Sequence, residues 1–221
     1  ANDIRNSNPG DAFEMANTAL EIADDLNFSK GKARTYNLIG LILDKKAEYQ
    51  NAIENYNLAL SLKQPDGDYA LYQKAISQGV LGNFEGKIST LLSLINNYKR
   101  TTYKAATIFE LANTYLIVDN NEKALKYFEE ITENYPTSSY APEAMLKTGL
   151  IHYNMHRNEL AIQTLERVIE KYPGTNTAKN ALVTMRNIYV ETDRVDDFIE
   201  KVKKYPTANV TNEEQDSITY I

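Results

Sequence analysis

The chain has 221 residues, a formal charge of −6 and a sequence pI near 5.1, and an evenly acidic surface offers no footprint for a phosphate backbone, which argues against nucleic acid as a partner. It contains no cysteine, which excludes disulfides and thiolate metal sites, and no apolar run approaches the roughly 20 residues needed to cross a bilayer. A hydrophobic content of 43% suffices for a continuous core, and the length suits an array that grows by adding units better than one compact core.

The elements are helical, and they recur. A first amphipathic stretch at about 11–26 places Ala12, Ala16, Ala19, Leu20 and Ala23 at helical spacing. The next segment, about 33–64, reads as a hairpin. Tyr36, Ile39, Gly40 and Leu43 fall at i, i+3, i+4 and i+7 on its first helix, and Ala52, Tyr56 and Ala59 form the matching stripe on the second. Small residues stand where two helices must approach, and large ones where the crossing opens. Further hairpins follow at about 68–99, 105–136, 142–173 and 179–206. Ala75, Ala112 and Gly149 hold the small site of their first helices, and Leu91, Phe128 and Leu165 the large site of their second helices.

Measured at the small position of each second helix, the register marks are Ala12, Ala52, Lys87, Ala124, Ala161 and Phe198, giving steps of 40, 35, 37, 37 and 37 residues. A period in this range belongs to stacked helix pairs. Punctuation falls where hairpins should end, at Pro65-Asp66-Gly67, at Tyr135-Pro136 and at Tyr172-Pro173-Gly174. Short polar turns are expected inside the hairpins, at Gly82-Asn83, at Asp119-Asn120-Asn121 and at His156-Arg157-Asn158.

Two departures from the small-residue rule matter. Lys87 and Arg186 occupy it with long side chains, which should loosen the packing unless their charged ends reach water. The last second helix, about 196–204, should be short. The ends look cut: the first unit shows only its second helix, and 212–221 starts a helical pattern that is not completed. The expectation is a single solenoid over 1–221 that belongs to a longer array.

The pattern Tyr36-x-x-x-Gly40-x-x-Leu43 with Ala52-x-x-x-Tyr56-x-x-Ala59 resembles the tetratricopeptide repeat (TPR), and the resemblance covers nearly the whole chain. The first third is similar to the longer variety found in bacterial signalling and transcriptional regulators. From about Lys104 onward, and most clearly at 124–144 and its echo at 161–178, the repeats are similar to those of the periplasmic Tol-Pal component YbgF and the outer-membrane assembly lipoprotein BamD. The segment from Asn187 to Phe198 resembles large repeat proteins of Bacteroidota. The resemblance implies an all-α fold, a right-handed α-α superhelix of about five helical hairpins, and protein–protein binding in a concave groove without catalysis.

By that register the groove wall comprises Asn37, Leu41 and Asp44; Tyr69, Tyr72 and Ile76; Phe109, Asn113 and Leu116; and Leu146, Leu150 and Tyr153. Aromatics with few charges suit an extended or helical peptide that carries apolar anchors. The family's carboxylate clamp needs a Lys where this chain has Asn37 and an Asn where it has Leu41. Ala106 and Glu110 stand where its further cations belong, so a receptor for chaperone C-termini is not expected.

The sequence offers little for chemistry. His152 and His156 share a helix face at i, i+4, but a zinc site needs a third ligand, for which Glu159 is the near candidate, and His156 falls in a predicted turn. Adjacent carboxylates such as Glu129-Glu130 and Asp196-Asp197 point to different sides of a helix and make no acid/base pair. No phosphate loop, dinucleotide fingerprint or nucleophile elbow occurs. The expectation is a non-enzymatic scaffold without metal or cofactor that binds a protein or peptide, with self-association a further option. Its expected setting is a bacterial cell envelope, in the periplasm or at the outer membrane. The alternative is a regulatory arm of a multidomain cytoplasmic signalling protein.

Overall fold

The computed structural model describes residues 8–205, so the helical pattern read at 212–221 lies outside the described residues. Among the described residues there are eleven helices and no strand: α1 Pro9–Asp25, α2 Ser29–Lys45, α3 Tyr49–Ser61, α4 Gly67–Val80, α5 Phe84–Asn97, α6 Lys104–Ile117, α7 Asn121–Asn134, α8 Ala141–Asn154, α9 Asn158–Lys171, α10 Asn176–Glu191 and α11 Val195–Val202. The all-α class read from the periodicity is the class observed. The last helix is eight residues long, against fourteen for α5, α7 and α9.

The chain divides into two compact units, 1–120 and 121–221. In the first, α1 to α6 pack in sequence order, with α2 also touching α4; in the second, α7 to α11 do the same, with α8 touching α10. The core of the first unit gathers Ala12, Ala16, Ile39, Leu43, Ala52 and Tyr56, and that of the second Met145, Ala161, Leu165, Met185, Ile188 and Phe198. Close approach explains the small residues. A Cβ on Gly40 would lie 2.6 Å from a ring carbon of Tyr56, and one on Gly149 would lie 2.8 Å from Leu165 Cδ2.

One turn closes the first helix of every hairpin. Ala47, Gly82, Asp119, His156 and Asp193 all take the left-handed conformation, at φ of 60°, 74°, 61°, 57° and 55°. The N–H of the residue after each, from Glu48, Asn83, Asn120, Arg157 and Arg194, bonds back to a carbonyl in the helix's last turn at 2.8–2.9 Å, which satisfies groups that a helix end leaves orphaned. Glycine, aspartate and a left-handed asparagine are expected in such places. Alanine is not, because its Cβ crowds the following carbonyl and it has no polar side chain to bond locally.

Specific polar contacts tie the helices of the first unit together. Tyr56 is fully buried, and its hydroxyl donates to Asp44 Oδ2 at 2.6 Å while Ser77 Oγ donates to Asp44 Oδ1 at 2.7 Å. One carboxylate thereby ties α2, α3 and α4 together. Lys87 corrects the expectation of loosened packing. Its stem is buried against Gly79, where a Cβ would come within 2.9 Å of Lys87 Cδ, and its ammonium donates to Glu110 Oε2 at 2.6 Å instead of reaching water. The small residue has moved to the facing helix, and the charge is neutralised by the next one. Arg186 is half-buried.

Two outcomes follow for stability, the first read by urea denaturation and the second by thermal melting. Glu110→Ala strands the Lys87 ammonium in the protein and should cost about 3 kcal/mol, whereas the Lys87→Met/Glu110→Ala pair should cost clearly less. Ala47→Gly removes roughly 1 kcal/mol of left-handed strain, partly offset by the greater freedom of glycine in the unfolded chain, and should raise the melting temperature.

Candidate functional site

In the first unit the predicted wall residues lie on α2, α4 and α6. Asn37 and Leu41 of α2 are half-buried, and the Oδ1 of Asn37 is enclosed without a hydrogen-bond partner. Asp44 is committed to Tyr56 and Ser77. This contact, with burial, drives the Tyr56 hydroxyl far above the ordinary tyrosine range, burial being the larger cause. Asp44 therefore serves the helix stack first.

On α4, Tyr69, Tyr72 and Ile76 stand at i, i+3 and i+7 and are all half-buried. Tyr72 stacks on Tyr103, with ring centroids 5.3 Å apart and planes 17° from parallel; Tyr69 meets the same ring at 6.3 Å and 58°. The three rings make a corner. Tyr103, the residue before α6, is missing from the predicted wall because it falls between helices, outside the repeat register. Its placement has a local cause. Thr101 Oγ1 donates to Asp68 Oδ2 at 2.7 Å and accepts from the Tyr103 N–H at 3.1 Å, which pins the turn onto the start of α4. On α6, Asn113 and Leu116 are half-exposed, whereas Phe109 is buried in the stack.

In the second unit the candidates sit on α8. Leu146 is buried in the core, and Leu150 and Tyr153 pack against it from its margin. The Tyr153 hydroxyl donates to Glu191 Oε1 at 2.5 Å, and that hydrogen bond is the main reason its pKa is raised. Three ion pairs join residues 35 positions apart on successive hairpins of this unit: Glu122 with Arg157 at 2.8 Å, Glu159 with Arg194 at 2.6 Å, and Glu166 with Lys201.

The two histidines do different work. His152 is buried near the end of α8 with Nδ1 unpartnered, while His156 is exposed and occupies the left-handed turn position. Glu159 is taken by Arg194. Among the described residues, no group of three or more His, Asp or Glu side chains is arranged to hold a metal ion. Burial lowers the His152 pKa, with Arg157 adding to the effect and Glu129 and Glu122 opposing it.

The family YfiO, described as outer membrane lipoprotein, matches residues 11–192 and again 101–221. No curated protein matches the sequence significantly. Among solved structures the chain is similar to YrrB, described as a TPR protein with an unusual peptide-binding site, at 16% identity and a TM-score of 0.64 over 95% of this chain and 100% of that one. It is also similar to MamA from Desulfovibrio magneticus RS-1, at 15% identity and a TM-score of 0.63 over 84% of this chain and 96% of that one. The C-terminal part of a TPR repeat-containing protein from Cytophaga hutchinsonii aligns at 15% identity and a TM-score of 0.62, over 97% and 89% of the two chains. At these identities the likenesses show the fold, a stack of tetratricopeptide-type helical hairpins.

The His152 environment sets a pH dependence. Because the folded-state pKa lies below the unfolded value of about 6.5, the unfolded chain takes up the proton first as pH falls. The stability associated with neutral His152 is therefore complete above that value and drains away below it. Melting temperatures measured from pH 7.5 down to 5 should fall more steeply for the wild type than for His152→Gln.

Proposed function

The chain belongs to the YfiO outer membrane lipoprotein family, and we propose on that footing that it is a non-catalytic scaffold whose first helices bind a protein or peptide, within a bacterial envelope assembly. The tyrosine corner on α4 carries the reading. Tyr69 and Tyr72, oriented by Tyr103, offer rigid amphipathic contact area at small entropic cost. The half-exposed Leu41 and Ile76 add apolar surface on the neighbouring first helix and the same one. Phe109 acts at one remove, as packing beneath the wall on α4 and α6, and Leu146 lies in the core of the second unit. YrrB, of the same fold, is described as having a peptide-binding site, which supports the class of ligand and not its identity.

The envelope setting rests on the family match. A regulatory arm in a cytoplasmic protein is the second reading, favoured by the 40-residue first step and by the seventeen-residue α1 and α2. Fractionation of the full-length protein separates the two.

Tyr72→Ala combined with Ile76→Asp should weaken the native partner by about 2 kcal/mol or more, roughly thirty-fold, in affinity capture with the full-length protein, and leave the far-ultraviolet circular dichroism unchanged. Undiminished capture by this variant would remove α4 from the binding surface.

A further inference from the structure

α1 carries two apolar stripes, and only one of them is used. Ala12, Ala16 and Ala23 are buried, the first two within the core of the first unit. Beside them Met15, Ala19, Ile22 and Leu26 follow one another at i, i+4, i+7 and i+11, and all four are exposed, with Met15 at 51%, Ile22 at 55% and Leu26 at 70%. This is the spacing of a helix-pairing seam. Isolated exposed aliphatics are ordinary on a protein surface, whereas a continuous row along a helix marks an interface.

The charges beside the seam define its occupant. Asp11, Glu14, Glu21 and Asp25 run along the edge of the seam away from the buried stripe, in a row that Thr18 completes. α1 has five acidic residues and no basic one. The fifth, Asp24, pairs with Lys32 of α2, while the four in the row have no ion-pair partner among the described residues. A second copy of the chain would bring one such acidic helix against another, and like charges across a helix pair disfavour it. We propose that this seam docks a basic amphipathic helix of a partner protein. The partner's apolar heptad positions lie on Met15, Ala19, Ile22 and Leu26, and its Lys or Arg residues face the acidic row. The surface is separate from the wall on α2, α4 and α6, and the inference does not depend on that wall's role.

The test uses the whole 221-residue chain and two labelled synthetic peptides. Both are three-heptad helices with Leu at the seam positions, one with Lys and the other with Glu along the flanks. Fluorescence anisotropy should show the Lys peptide binding at least about ten-fold more tightly than the Glu peptide. Ile22→Ser should reduce binding of the Lys peptide by about ten-fold, and Glu21→Lys with Asp25→Lys, which leaves two acids and two lysines in the row, should abolish the preference. These positions face solvent, so the helical circular dichroism of the variants should match the wild type. Absence of binding, equal affinity for the two peptides, or indifference to Ile22→Ser overturns the proposal. So does a concentration-dependent dimer in sedimentation that Ile22→Ser abolishes, since that assigns the seam to a second copy.

Discussion

Every hairpin depends on how closely two helices can lie. At Gly40 against Tyr56, and again at Gly149 against Leu165, the facing side chain occupies the volume a Cβ would need, so the two axes approach until large meets small. Each helix presents one apolar stripe and cannot bury it alone. The near approach therefore sets where the rest of the stripe lands: Ile39 and Leu43 against Ala52 in the first unit, Met145 against Ala161 and Leu165 in the second. Lys87 shows that the constraint belongs to the pair and not to a position. The small residue appears as Gly79 on the opposite helix, and the volume balance survives.

Much of this was legible. The 37-residue step, the small and large alternation and the prolines after second helices locate the helices closely, because all three arise from packing periodicity that sequence spacing records directly. The turn after each first helix was legible at Gly82, Asp119 and His156, where short polar turns are expected, but hidden at Ala47. There the stack over-determines the backbone and a residue with no preference for that conformation is carried along. The balance of Lys87, Gly79 and Glu110 was hidden for a related reason. It spans three helices, and a register that compares equivalent positions cannot show compensation between different ones.

The candidate wall divides in the same way. Register placed Tyr69, Tyr72 and Ile76 on one face of α4, and they share it. Register could not say that Phe109 and Leu146 sink into the stack, or that Asp44 is held by two hydroxyls, because equivalence along a repeat does not encode local depth. Tyr103 lies outside the helices altogether. Its signal is the Thr101 hydroxyl two residues earlier, which links it to Asp68, a contact recognisable only once the turn and α4 are seen together.

The side chains that hold the stack are largely distinct from those proposed to meet a ligand. Several buried polar groups are matched to one another: Asp44 with Tyr56 and Ser77, Lys87 with Glu110, Gln78 with Thr90. Each match links separate helices, so a partner could compete for these groups only by undoing the stack, at the cost of leaving a buried donor or charge unpaired. The ion pairs between Glu122 and Arg157 and between Glu159 and Arg194 are largely exposed, and such pairs contribute little energy individually. They serve better as a register for successive hairpins, since an out-of-step stack would separate each acid from its base. The groove surface proposed above draws instead on the half-buried apolar and aromatic side chains of α4. A solenoid can vary that surface without disturbing the contacts that hold its helices, and that separation lets one repeat architecture present different faces to different proteins.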